Sequence, residues 1–187
     1  MEHFYQNIIG WFDFHDIYLE ALRTFRGNAH FVEIGAWLGC STSFMAVEII
    51  NSGRKDIKFD VIDTWEGSPG GDDEQIYIDI VKDIKMPAYD KFMKNMESVK
   101  HVINPIVGKS HDVVKNYKDE SLDFVFIDGA HDYESVKQDI TDWYPKLKKY
   151  GIIAGHDYWQ DQVQKAVEEY FKDEVVHPQI NSWKVYK

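Results

Sequence analysis

Four short apolar runs in this chain close on a carboxylate. Phe31-Val32-Glu33-Ile34, Ile57 to Asp63, Leu122 to Asp128 and Gly151 to Asp157 each read as a β-strand with an acid at its carboxyl end. Segments with helical spacing lie between them. Val136, Ile140, Trp143 and Leu147 form one such set, and Val163, Ala166, Val167 and Tyr170 another. Strands alternating with helices imply a mostly parallel sheet covered on both faces. In such sheets ligands gather at the carboxyl ends of the strands, near the switch in strand order. Four acids placed there make a site.

The first run continues Gly35-Ala36-Trp37-Leu38-Gly39-Cys40-Ser41-Thr42-Ser43 into an apolar helical stretch. This is a strand, a tight glycine turn and a helix N-terminus with three plausible caps, the arrangement that holds a nucleotide-like cofactor. Asn104 to Gly108 reads as a further short strand. Glu174–His177 and Ser182–Tyr186 lack a helix between them and read as an antiparallel hairpin at a sheet edge. The apolar residues of 4–26 predict one or two helices, giving a helical cap over 1–27 of a single domain spanning 1–187. Trp65 to Glu74 is the most loop-like stretch; it reads equally as a closing lid and as a solvated acidic loop.

The chain has 21 basic and 32 acidic residues, a net charge of −11. That balance opposes binding to phosphate backbones, so no nucleic acid is expected and a small-molecule acceptor is favoured. One cysteine, Cys40, excludes an intrachain disulfide and a multi-cysteine zinc site, which suits a cytoplasmic location. No signal peptide or membrane span is expected. Oligomeric state stays open, with a homo-oligomer allowed.

The chain resembles class I S-adenosylmethionine-dependent methyltransferases. Within them it is similar to the small-domain family of macrolide-sugar O-methyltransferases and cephalosporin-biosynthesis methyltransferase-like proteins. The carriers are Val32-Glu33-Ile34-Gly35 with Gly39 to Ser43, Val61-Ile62-Asp63-Thr64-Trp65, and Val107-Gly108-Lys109-Ser110. Phe126-Ile127-Asp128-Gly129-Ala130-His131-Asp132-Tyr133-Glu134 and Gly151 to Tyr158 complete them. The resemblance runs from about Phe31 to Tyr158. It implies a Rossmann-like, doubly wound α/β sheet of seven strands, mostly parallel, with the C-terminal antiparallel hairpin and N-terminal helices.

The resemblance also implies site residues. Glu33, Gly35 and Ser41 would line the methionine part of S-adenosylmethionine. Asp63 would take the two ribose hydroxyls, and Gly108 and Ser110 would lie by the adenine. Trp65 would wall the adenine or pack the loop. Asp128 is expected at the cofactor and, with Asp157 and His156, around Mg²⁺ or another divalent cation. Two carboxylates suit Mg²⁺, whereas a histidine beside them favours softer ions such as Mn²⁺. For removal of the acceptor's proton, His131 and His156 are the candidates, His131 slightly preferred as base.

The expected activity is O-methylation of a small hydroxylated acceptor, a sugar or natural product, assisted by a divalent metal. Two other classes compete. An NAD-dependent oxidoreductase shares the strand-turn-helix, but the glycines lack G-x-G-x-x-G spacing. A non-catalytic Rossmann-like binding module would not need the intact run of Glu33, Asp63, Asp128 and Asp157.

Overall fold

The computed structural model describes residues 1–67 and 74–187. Five parallel strands, β1 (Ala29–Ile34), β2 (Ile57–Asp63), β3 (Asn104–Val107), β4 (Leu122–Ile127) and β5 (Leu147–Gly155), are joined by β6 (Val176–Gln179) and β7 (Ser182–Tyr186). Their order is β3-β2-β1-β4-β5-β7-β6, with β7 antiparallel to both β5 and β6. The expected architecture is present, including the closing hairpin. The strand order reverses between β1 and β4, which pair in register from Phe31–Phe124 to Ile34–Ile127. The crevice at that switch point therefore opens between Glu33 and Asp128.

Strand periodicity sorts the core. Phe31, Phe59, Val61, Phe124, Phe126 and Ala154 face one layer with α1 (His15–Thr24), α2 (Cys40–Asn51) and α4 (Ala88–Asn95). Val32, Ile34, Ile62, Val125, Ile127 and Val185 face the other. That layer is completed by α5 (Ser110–Val113), α6 (Tyr133–Trp143) and α7 (Asp161–Phe171). All six residues of β4 are buried, as expected of a central strand covered on both sides. The remaining helix, α3, spans Glu74–Ile84.

The N-terminal cap is helical only in part. A 3₁₀ turn at Tyr5–Asn7 precedes α1, and residues 8–14 cross the domain in irregular conformation. A Cβ built on Gly10 would stand 2.8 Å from the Cys40 Cβ, so glycine lets this segment lie directly on the start of α2. Phe14 then stacks on Phe126 with ring centroids 4.3 Å apart. Most of the stretch expected as a lid, residues 68–73, lies outside the described residues.

Candidate active site

The glycine turn after β1 is forced by its neighbours. Gly35 has φ 86°, and a Cβ there would sit 2.0 Å from the Asp128 carbonyl oxygen. The ends of β1 and β4 can thus meet only at a glycine. The turn then reaches Asp63, whose Oδ2 accepts from the backbone N–H groups of Ala36 and Trp37, both at 2.7 Å. Its Oδ1 accepts from the Trp65 N–H at 2.7 Å. Trp37 and Trp65 have φ of 43° and 55°, a region bulky side chains avoid. Bonds from their N–H groups to a carboxylate offset that strain. A carboxylate offers about four acceptor positions, and these three donors leave about one for a ribose hydroxyl.

Trp65 itself packs the loop: its Nε1 donates to the Trp37 carbonyl at 2.7 Å, and its ring contacts Tyr89 and Phe92. Gly108 lies beside the end of β2, its N–H donating to the Asp63 carbonyl at 2.9 Å. Ser110 is turned toward α6, where its Oγ accepts from Trp143 Nε1 at 2.6 Å. It also bonds the buried Asp139, whose carboxyl burial raises to about 6 despite that bond.

Glu33 points inward. It is 1% exposed and accepts from Ser41 Oγ, from Thr42 Oγ1 at 2.6 Å and from the Tyr18 hydroxyl at 2.9 Å. Burial pushes its carboxyl up to about 7, and the three hydroxyl donors oppose but do not cancel that effect. Tyr18 and Thr42 are members of this network that the sequence did not reveal.

The acid cluster lies at the ends of β4 and β5. Asp128, His131 and Asp157 bring one ligand atom each within 4.8 Å of the others. His131 Nε2 is 3.1 Å from Asp157 Oδ2. Asp157 adopts φ 55°, which an aspartate tolerates better than most residues. That kink places the carboxylate next to Asp128. Beneath them a cavity of about 10 Å³, bounded by Val136, Val163 and Trp183, has room for no more than one water. A hollow of about 430 Å³ at the opposite end of the sheet holds Lys58 and Lys148, already paired with Asp60 and Asp123, and no group of metal-ligating atoms lies there among the described residues.

His156 is the more buried of the two candidate histidines. It is buried, with Nδ1 3.2 Å from Asp157 and 3.6 Å from Asp128, and Nε2 2.9 Å from Asp13. Burial works against its charge, but contacts with Asp128 and Asp157 outweigh it and hold the imidazole up to about 11. While it stays protonated, the ring donates to these carboxylates and offers no lone pair. His131 is the histidine whose nitrogen converges with Asp128 and Asp157 in a group that could hold a metal ion. The His156 imidazolium in turn brings Asp157 down to about 2, against the effect of burial, whereas for Asp128 burial dominates and its carboxyl is raised. Asp13, from the irregular segment before α1, carried no sequence signal.

A family model described as a methyltransferase domain matches residues 32–158. The chain belongs to the methyltransferase domain family. The oxidoreductase alternative is not favoured. Among solved structures, the O-methyltransferase NovP superimposes with a TM-score of 0.73 at 19% identity, over 92% of this chain and 77% of that one. A putative caffeoyl-CoA O-methyltransferase from Staphylococcus aureus gives 0.62 at 17% identity, over 97% and 87%. SMU.1697c, a putative methyltransferase from Streptococcus mutans in complex with SAH, gives 0.64 at 14% identity, over 96% and 99%. These likenesses are of fold. An uncharacterized protein of Sinorhizobium fredii, y4gI, is 26% identical over 128 residues, 67% of this chain. The chain covers 13% of the length of that curated relative. No helix among the described residues is long and apolar enough to cross a membrane.

Proposed function

We propose that this methyltransferase domain methylates a hydroxyl oxygen of a small acceptor, with a divalent cation held by Asp128, His131 and Asp157. The observation that carries the reading is the convergence of those three donors within 4.8 Å at the mouth of the switch-point crevice. The donor set fits an ion such as Mg²⁺ or Mn²⁺: two carboxylates supply charge and one imidazole a neutral nitrogen. When bound, the ion would hold the acceptor oxygen and lower the cost of its deprotonated form.

The protein's remaining task is positioning, because a sulfonium methyl is already activated. Gly35 and the Asp63-anchored turn shape the crevice floor, and Asp63 keeps an acceptor position for a ribose hydroxyl. Glu33 acts through Ser41 and Thr42, fixing the start of α2 beside the methionine end. His156 holds Asp128 and Asp157 in place as a buried cation. A second reading keeps His131 as the base beside an ion held by the two carboxylates. It is favoured by its exposure of 30%, against 18% and 14% for Asp128 and Asp157.

Calorimetric titration with S-adenosylhomocysteine (SAH), with NAD⁺ as control and Mg²⁺ present or chelated, tests the reading. Binding of SAH alone supports it, and preference for NAD⁺ sinks it. His131→Gln separates the two roles. As a ligand, its loss weakens Mn²⁺ affinity by about tenfold or more; as a base, it slows turnover with Mn²⁺ affinity unchanged.

A further inference from the structure

We infer that Trp159 is the acceptor platform, and that the acceptor presents an uncharged hydroxylated ring to it; this rests on the reading of the acid cluster given above. Among the described residues, several large apolar side chains are exposed, including Ile180, Tyr150, Trp11 and Trp159. Singly exposed apolar residues are ordinary on a surface. Trp159 differs in where it is tied. Its Nε1 donates to Asp157 Oδ1 at 3.0 Å, so a carboxylate of the acid cluster fixes the indole while the side chain stays 65% exposed. Trp11, by contrast, already spends one face stacked on Trp37.

An indole held through its N–H keeps its ring from turning freely, and an immobilised aromatic face beside a reacting centre recognises another ring by stacking or by contact with C–H groups. The turn carrying it is also fixed. The Tyr158 N–H donates to the Asn181 carbonyl at 3.1 Å, and the Tyr158 hydroxyl donates to Glu168 at 2.8 Å.

Charge narrows the acceptor. The charges acting most strongly on Asp128 are those of His156, Asp157 and His131, and on Asp157 those of His131 and His156; none is a Lys or Arg. Asp13 adds another carboxylate at His156. With the divalent cation bound, the three carboxylates of Asp13, Asp128 and Asp157 balance the ion and the His156 imidazolium, so the site holds no surplus positive charge to favour a phosphate or carboxylate on the acceptor. The shared chemistry is therefore a neutral hydroxylated ring, saturated in a sugar or aromatic in a diphenol.

The test uses SAH-loaded protein with Mg²⁺ and measures binding by saturation-transfer NMR. Methyl rhamnopyranoside is the saturated ring, catechol the aromatic ring and glucose 1-phosphate the charged comparison. Wild type, Trp159→Phe and Trp159→Ala are compared. Both variants lose the N–H bond to Asp157, so the difference between them reports the ring alone. At least one neutral ring should bind wild type and Trp159→Phe, with Trp159→Ala weaker by about tenfold. SAH affinity should stay within about twofold throughout. Which neutral probe binds tells the sugar from the diphenol. Equal binding by Trp159→Phe and Trp159→Ala overturns the proposal, as does preference for glucose 1-phosphate. Binding of SAH with no neutral ring bound also overturns it while leaving the methyltransferase reading standing. Failure of SAH to bind wild type removes that reading itself.

Discussion

Tyr18 donates its hydroxyl to Glu33 at 2.9 Å, and both side chains are buried. The bond joins the N-terminal helix to the end of the first strand, fifteen residues along the chain. Tyr18→Phe removes one of three donors to a carboxylate that no water can reach in its place. The expected cost is about 1–2 kcal/mol, read as a lower urea midpoint with an unchanged m-value. An unaltered midpoint would mean that Ser41 and Thr42 satisfy Glu33 unaided.

Glu33 also gives stability a pH dependence. Its folded value of about 7 lies above the ordinary 4.5, so the folded state holds the proton more tightly. The contribution is fully present below pH 4.5 and is lost as pH rises through about 7. Measured against Glu33→Gln, which does not titrate, wild-type stability should fall by about 3 kcal/mol across that window. Urea unfolding at intervals from pH 4.5 to 8 checks this. Parallel profiles for the two proteins would place the proton elsewhere.

Asp63 is a structural anchor as well as a cofactor candidate. Asp63→Ala leaves three backbone N–H groups without their acceptor, two of them on tryptophans in left-handed conformation. A loss of about 2 kcal/mol or more is expected, with a changed near-ultraviolet dichroism from Trp37 and Trp65 and weaker SAH binding. Weaker SAH binding at full stability would instead assign Asp63 wholly to the ribose.

Asp157→Asn keeps a residue tolerant of the left-handed backbone and removes the charge. Wild type should gain thermal stability from Mg²⁺ or Mn²⁺ and lose that gain to a chelator, whereas the variant should show no such response. SAH affinity should change by no more than about threefold. Retained metal stimulation in Asp157→Asn would remove this carboxylate from the ligand set.

The strands were legible because their signals are local. Ala29 to Ile34 alternates sides within one element, and the acids at Glu33, Asp63, Asp128 and Asp157 can be read at the strand ends without knowing their neighbours. The different burial of His131 and His156 was not legible. Both flank an acid in sequence, and only the backbone kink at Asp157 and the arrival of Asp13 from 143 residues away bury one and leave the other at the mouth. Residues 8–14 have the apolar content of a helix, yet Gly10 and the close approach to Cys40 hold them irregular. Glu33 was found, but its inward orientation depends on Tyr18, whose helical spacing marks it only as core.

Asp13 accepts from His156 at 2.9 Å and from Asn181 at 2.7 Å, the latter across 168 residues. Closing a loop of that length is entropically costly and is repaid only after the intervening sheet exists. The parallel strands that carry Glu33, Asp63 and Asp128 are all synthesised before Asn181 emerges from the ribosome. On a growing chain, the crevice at the ends of β1, β2 and β4 can therefore take shape while Asp13 and His156 are still unbraced by the hairpin turn.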